Sequence, residues 1–337
     1  MALLQKMTTK LNFKSFYKDF IPWFDSEYKK SVLNTVPSSL YDPIHYILEH
    51  PGKQIRPAFL AATAYTLGNI SFGRSFPAAS CMEMIHNFTL VHDDIMDGDM
   101  LRHGMETVHS KWNKNLAILS GDGLFARALA QLNPYVEDTE LYAKIMPMIL
   151  QAVTVVCEGQ ALDMEFETRE DVTLSEYLTM VEKKTAYLLA VSARIGAVLV
   201  GLDRDNEILV EKIILELGVV FQIQDDLLEL TSDSASMGKT LGSDLIKQKK
   251  TYPYLYAKQE MDKVEWNRFL ENIGVEHIEQ HGVGVARKIL ENNFIFDRIR
   301  EHITLRHVTI QELIKELPEG SQEMFFSMVE FIMDRKK

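Results

Sequence analysis

The sequence predicts an all-α protein, on three observations. Apolar residues recur at spacings of three and four along most of the chain. The strict alternation of a strand is hard to find. The gaps between apolar runs hold Gly, Pro and polar residues. The first long run covers about 78–97, after breaks at Pro51-Gly52 and Gly68 to Pro77, and it ends before Gly98 to Gly104. Runs near 115–131 and 141–166 follow, parted by Asn133-Pro134. A run near 174–200 closes at Gly201, and one near 207–230 closes at Thr231 to Gly242, a polar, Gly-containing loop. Runs near 252–270 and 284–297 come next. From about 300 onward charged and apolar residues alternate, which predicts surface-packing helices. No gap has the length or bias of an interdomain linker, and no short-period repeat or low-complexity tract is present. A single domain over 1–337 is expected.

Composition narrows the partners. The chain has 337 residues, 46% hydrophobic and 25% charged, enough for a large core. Its formal net charge is −12, from 36 basic and 48 acidic residues, so no nucleic-acid partner is expected. An acidic protein with an anionic substrate must gather its cations locally or import them as metal. The two cysteines, Cys81 and Cys157, lie in apolar helical pattern and read as buried cytosolic thiols, not as a zinc site or a disulfide. The N-terminus lacks the apolar run of about 7–15 residues that marks a signal peptide. No stretch approaches the roughly 20 apolar residues of a transmembrane segment. The cytoplasm is the expected location.

Two acidic motifs carry the chemistry. The first reads Leu-Val-His-Asp-Asp-Ile-Met-Asp, with Asp93, Asp94 and Asp97; the second reads Phe-Gln-Ile-Gln-Asp-Asp-Leu-Leu-Glu, with Asp225, Asp226 and Glu229. Residues four apart share a helix face, so Asp93 lies beside Asp97 and Asp225 beside Glu229. Acidic helix positions are usually solvated faces. Here the first motif follows Met84, Ile85, Phe88, Leu90 and Val91 and is interrupted by Ile95 and Met96, and the arrangement occurs twice. Like charges one turn apart inside apolar helices need a cation. Hard oxygen donors suit magnesium, which keeps several waters and bridges carboxylates to phosphates. The pair therefore points to a magnesium–diphosphate site.

Cationic residues surround both motifs. Lys53 and Arg56, in Gly-Lys-Gln-Ile-Arg-Pro, sit at a helix start and share a face. Arg102-His103-Gly104 follows the first motif, and Lys183-Lys184-Thr185 falls mid-helix. Lys239, Asp244 and Lys249-Lys250-Thr251 follow the second. Taken singly, each reads as a solvated charge; their distribution is the informative part. Arg offers a planar fork to phosphate and Lys a point charge. His86, His92, His103 and His109 lie 6, 11 and 6 residues apart and lack the i, i+4 pairing of a helical zinc motif. His86 shares the Asp93 face two turns away, which suits a phosphate contact.

With these residues in place, the chain resembles the trans-isoprenyl diphosphate synthases, the polyprenyl synthetase family. GKQIRP, LVHDDIMD, FQIQDDLLE, GKTLGSDL and KKTYP resemble the family's segments in order, from about Gly52 to Pro253. The resemblance implies an all-α bundle around a deep central cavity, as a homodimer. It implies that Asp93, Asp97 and Asp225, with Asp94 and Asp226 near them, bind three magnesium (Mg2+) ions on an allylic diphosphate. Arg102, Lys184 and Lys249 would contact that diphosphate, with Lys239 close by. Lys53, Arg56 and His86 would hold isopentenyl diphosphate, and Thr185 and Gln222 would line the reacting carbons. The implied reaction ionises the allylic C–O bond, and cations stabilise the leaving diphosphate. A water-free cavity protects the carbocation until isopentenyl diphosphate attacks.

The sequence departs from the family pattern at four places. His103 stands where the family usually has a second Arg contacting isopentenyl diphosphate. Glu229 replaces an Asp, Gln248 a Gly and Tyr252 a Leu. Alternatives fit less well. A terpene cyclase has a different second motif and no use for Lys53, Arg56 and His86. A phosphohydrolase built on His92-Asp93 leaves the second motif unexplained. A non-catalytic synthase subunit would be expected to have lost acidic ligands. In the family, the residues four and five before the first Asp help to floor the elongation pocket; here they are Thr89 and Phe88. Phe88 is bulky, and no insertion separates Asp94 from Asp97. A C20 product is favoured, with C15 possible.

Overall fold

Helices account for nearly all regular structure in the computed structural model, which describes residues 12–102, 104–231, 243–273 and 280–334. They run α1 (Phe13–Lys29), α2 (Ser38–Glu49), α3 (Ile55–Gly68), α4 (Phe72–Asp97), α5 (Val108–Lys111), α6 (Lys114–Ala130), α7 (Thr139–Thr168), α8 (Leu174–Val181), α9 (Tyr187–Leu199), α10 (Arg204–Thr231), α11 (Ser243–Ile246), α12 (Tyr252–Glu260), α13 (Lys263–Leu270), α14 (Gln280–Asn292), α15 (Ile295–Lys315) and α16 (Glu319–Met333). Between α4 and α5, β1 (Leu101–Arg102) and β2 (Met105–Glu106) form a two-residue antiparallel hairpin. A π-helical turn, Glu182–Ala186, joins α8 to α9.

Two compact units are distinguished. The first comprises Met1–Val153, Leu188–Lys212 and Ile314–Phe331; the second comprises Thr154–Tyr187, Ile213–Leu313 and Ile332–Lys337. In the first unit α4 packs against α3 and α6, and α2 packs on α6. Phe13, Phe16, Phe20, Phe24 and Tyr28 form a fully buried stripe along α1, at spacings of three and four. Asn12 caps that helix by accepting from the Ser15 amide. The Phe13 ring meets Phe59 of α3 and Phe331 of α16 edge-on, both at 5.0 Å. In the second unit α12 packs on α8, and α13 on α14.

The structure revises several expectations. The C-terminal region is core, not surface packing: Met324, Phe325, Met328 and Val329 of α16 are buried, and Ser327 Oγ accepts from the Phe13 amide. The expected 252–270 helix is two. Asp262 caps α13 by accepting from the amides of Val264 and Glu265, which ends the α12 register. Pro77 lies inside α4, so the break before that helix is shorter than expected. Cys81 is buried, but Cys157 is exposed on α7; both are free thiols. Finally, α7 is long and apolar enough to cross a membrane, and 28% of its apolar window is buried. The expectation that no stretch approaches that length is therefore too strict. Two acids near its C-terminal end, Glu158 and Asp163, are ion-paired to Lys183 and Lys184.

Candidate functional site

Both acidic motifs occupy the last turns of long helices. Asp93, Asp94 and Asp97 close α4, and Asp225, Asp226 and Glu229 lie near the end of α10. A helix C-terminus carries about half a negative charge, so acids there add to the field that basic residues would relieve. Neither helix has a basic residue in its last turn. Each terminus is thus an anionic focus that calls for cations from elsewhere.

In the first motif the three acids divide. Asp94 is buried, Asp93 is half-buried and Asp97 is exposed. Gly98, in the left-handed conformation, ends α4, and the β1–β2 hairpin carries Arg102 back to the motif. Arg102 Nε and Nη2 both lie 2.7 Å from Asp94 Oδ1, and Nη2 is 3.7 Å from Asp93 Oδ2. Burial pushes the Asp94 carboxyl up, and the guanidinium pulls it back down. Upstream, the Phe88 ring meets His92 at 5.0 Å and Phe125 of α6 at 5.4 Å. Thr89 Oγ1 donates to the His86 carbonyl, and His92 Nε2 lies 3.1 Å from the Ile118 carbonyl.

The second motif divides in the same way. Asp226 is buried and collects three donors: the Tyr177 hydroxyl, the Tyr252 amide at 2.9 Å and Gln222 Nε2 at 2.9 Å. It ties α8, α10 and α12 together. Burial dominates and pushes its carboxyl up to about 6, while the three hydrogen bonds pull the other way. Asp225 is half-buried. Glu229 Oε1 accepts from the Asp244 amide at 3.4 Å. Thr185 Oγ1 donates to Gln222 Oε1 at 3.3 Å, so Thr185, Gln222 and Asp226 form one chain of hydrogen bonds.

Lys184 and Thr185 sit on the π-helical turn. Two glycines make room for it. A Cβ on Gly159 of α7 would lie 2.3 Å from the Lys184 backbone nitrogen, and one on Gly218 of α10 would lie 2.6 Å from Ala186 Cβ. Lys184 Nζ is 2.6 Å from Asp163 Oδ2, and Lys183 Nζ is 2.6 Å from Glu158 Oε2. Inserted π-turns are common where a helix must re-aim side chains at a functional site.

The Lys53–Arg56 pair is arranged differently from the expectation. Helix α3 starts at Ile55 after a left-handed Gln54, so Lys53 is exposed ahead of the helix and shares no helical face with Arg56. Arg56 couples to Glu83 of α4, which is 1% exposed. Burial lowers the guanidinium to about 10 and raises the Glu83 carboxyl to about 7, each partly countered by the other's charge. Arg56 Nε and Glu83 Oε2 have no hydrogen-bond partner among the described residues. His86 is half-buried one turn along α4 from Glu83. Lys249 is exposed after α11. His103 and Lys239, and the loop expected to follow Thr231, lie outside the described residues.

The acids of the motifs fit a hard cation. Their donors are all carboxylate oxygens, at helix ends that favour positive charge. Among the described residues no group of three or more His, Cys, Asp or Glu side chains is arranged to hold a metal alone. A hard cation of this kind completes its shell with water and phosphate oxygen. Three residues escaped the sequence reading. Glu83 and Asp163 are acids inside apolar runs and could have been found by that signal, whereas Tyr177 carries none.

The chain is similar to several known proteins. Residues 37–291 match the model of a family described as polyprenyl synthetase. The chain is 41% identical to the geranylgeranyl diphosphate synthase of Methanosarcina mazei, over 68% of this chain and 71% of that one. It is 35% identical to the geranylfarnesyl diphosphate synthase of Natronomonas pharaonis, over 89% and 91%. Among solved structures, a geranylgeranyl pyrophosphate synthase superposes with a TM-score of 0.88 at 33% identity, covering 95% of this chain and 99% of that one.

Proposed function

The chain belongs to the polyprenyl synthetase family and is a short-chain trans-prenyltransferase of the all-α isoprenoid synthase fold; from that premise we propose that it condenses isopentenyl diphosphate with an allylic diphosphate in the presence of magnesium. The observation that carries this reading is the sorting of carboxylates at two helix C-termini. In each motif the second Asp is buried and held by protein donors, and the first is left more open. Asp93, Asp97 and Asp225 would hold the Mg2+ ions, three by the family pattern. Bound magnesium supplies electrostatic stabilisation of the departing diphosphate.

The protein's own side chains do the rest. Arg102 is anchored through Asp94 and presents its remaining N–H groups to the allylic diphosphate. Lys184, Lys239 and Lys249 add positive charge to that group. Lys53, Arg56, His86 and His103 hold the diphosphate of isopentenyl diphosphate. Gln222, fixed by Asp226, holds the Thr185 hydroxyl beside the reacting carbons. The residues of 1–337 serve this one activity as a single functional domain, in the cytoplasm. The exposed apolar face of α7, with Leu150 45% exposed, supports a homodimer.

Phe88, packed between His92 and Phe125, closes the elongation path, and the product is C20 in preference to C15. The Methanosarcina mazei relative, a geranylgeranyl diphosphate synthase, supports the longer length. The test is incubation of purified protein with labelled isopentenyl diphosphate and each allylic starter, with magnesium and with a chelator. Magnesium-dependent formation of a twenty-carbon product is expected. Full turnover in the chelator refutes the metal assignment, and a dominant product of another length refutes the role given to Phe88.

A further inference from the structure

We propose that Asp163 is a positioning residue for Lys184, fixing its ammonium so that it meets charge as it develops on the leaving diphosphate. This rests on the reading above in which Lys184 contacts the allylic diphosphate. Three observations carry it. Lys184 Nζ lies 2.6 Å from Asp163 Oδ2, and the two side chains are only 22% and 14% exposed, so the pair is shielded and close. Lys184 sits on a π-helical turn, whose extra residue re-aims its side chain. Gly159, one helical turn before Asp163 on the same face of α7, lets the backbone of that turn approach so closely that a Cβ would fall 2.3 Å from the Lys184 nitrogen. The same stretch of α7 thus places the lysine backbone and its charged end.

A lysine is a point charge on a flexible four-carbon stem and points nowhere in particular unless held. Asp163 holds it and partly offsets its charge before ionisation. When the allylic C–O bond breaks, negative charge on the diphosphate rises, and the ammonium is already in place. The benefit therefore falls on the transition state more than on substrate binding. The neighbouring pair, Lys183 with Glu158, is more exposed, at 34% and 50%, and serves to pin the turn.

The test compares Asp163→Asn, Lys184→Met and the double variant in the intact enzyme with magnesium, measuring kcat and KM for both substrates and the thermal melt. Asp163→Asn should lower kcat roughly 10- to 100-fold, the range of a charge-assisted hydrogen bond, without raising the KM for the allylic diphosphate. In the Lys184→Met background the same change should cost less than about twofold, because the residue acts through the lysine. Asp163→Glu, which keeps the charge, should recover part of the loss; if Asp163→Asn fails to fold, a wild-type kcat in a folded Asp163→Ser variant, which lacks the carboxylate, overturns the proposal. An unchanged kcat in Asp163→Asn overturns it. So does an equal loss in the Lys184→Met background, which would mark Asp163 as purely structural. If Lys184→Met itself leaves allylic kinetics intact, the diphosphate assignment of Lys184 fails, and this proposal with it; only that arm reports on the assignment alone.

Discussion

Replacing Gly159 by Ala should damage catalysis much more than stability. A Cβ there would lie 2.3 Å from the Lys184 nitrogen, 2.7 Å from its Cα and 2.8 Å from the Lys183 carbonyl carbon. All three are backbone atoms, so no side chain can swing aside. Ordinary contact begins near 3.4 Å, and α7 and the π-helical turn must part by about 1 Å. Overpacking of this kind costs about 1–3 kcal/mol. Alanine returns up to about 1 kcal/mol of helix propensity, leaving a net loss of roughly 0–2 kcal/mol. A displacement of about 1 Å at a substrate-contacting residue can cost on the order of 100-fold in rate. Lys184 and Thr185 both ride on the displaced turn. Urea denaturation and kcat at saturating substrate measure the two effects. Gly284→Ala is the control: nothing lies within 4 Å of its Cβ position on α14, so it should gain stability and keep full activity. A Gly159→Ala enzyme with wild-type kcat would show that the close approach does not position the lysine.

The remaining predictions concern the acids and the chain-length wall. Asp225→Ala should cut turnover by several orders of magnitude and leave the melt unchanged. Asp226→Ala should in addition lose about 2–6 kcal/mol in urea titrations, because the Tyr177 hydroxyl and the Tyr252 amide lose their buried acceptor; equal melts for the two variants would contradict the division of roles. Glu83 titrates near 4.5 when unfolded and about 7 when folded, so the native state binds the extra proton between those values and stability falls as pH rises through them, by about 3 kcal/mol. Glu83→Gln should remove that slope, which urea midpoints at pH 5 and pH 7.5 would reveal. Phe88→Ala should lengthen the product by one or more five-carbon units with little change in early condensation, and chromatography showing the wild-type distribution would move the stop to another helix.

What the sequence discloses depends on where the determining contact lies. The positions of α4, α6, α7 and α10 are legible because their apolar periodicity is long and unbroken. The stripe of α1 is just as periodic, but it is built from aromatic residues, which serve a strand as readily as a helix. The role of α16 depends on distant neighbours: Ser327 meets Phe13 across a sequence separation of 314 residues, which no local pattern encodes. The π-helical turn is hidden for a related reason. Its cause is the missing Cβ at Gly159 and Gly218, on other helices, and a glycine within a helix announces a close approach without saying to what.

The acidic motifs show how far a motif reading reaches. In the sequence, two adjacent aspartates look equivalent. On a helix, neighbours point about 100° apart, so if one faces the open side the next turns toward the interior. Asp94 and Asp226 take that inward place, and each solves the resulting desolvation differently. Asp94 recruits a cation, Arg102, which is thereby anchored close to Asp93. Asp226 recruits neutral donors from α8, α10 and α12, and its carboxyl stays high, at about 6. The inward acid of the first motif thus orients a charge, and that of the second holds a framework from which Gln222 reaches Thr185. Substituting the two should therefore fail in different ways. Loss of Asp94 frees Arg102 and should weaken binding of the allylic diphosphate. Loss of Asp226 loosens three helices at once.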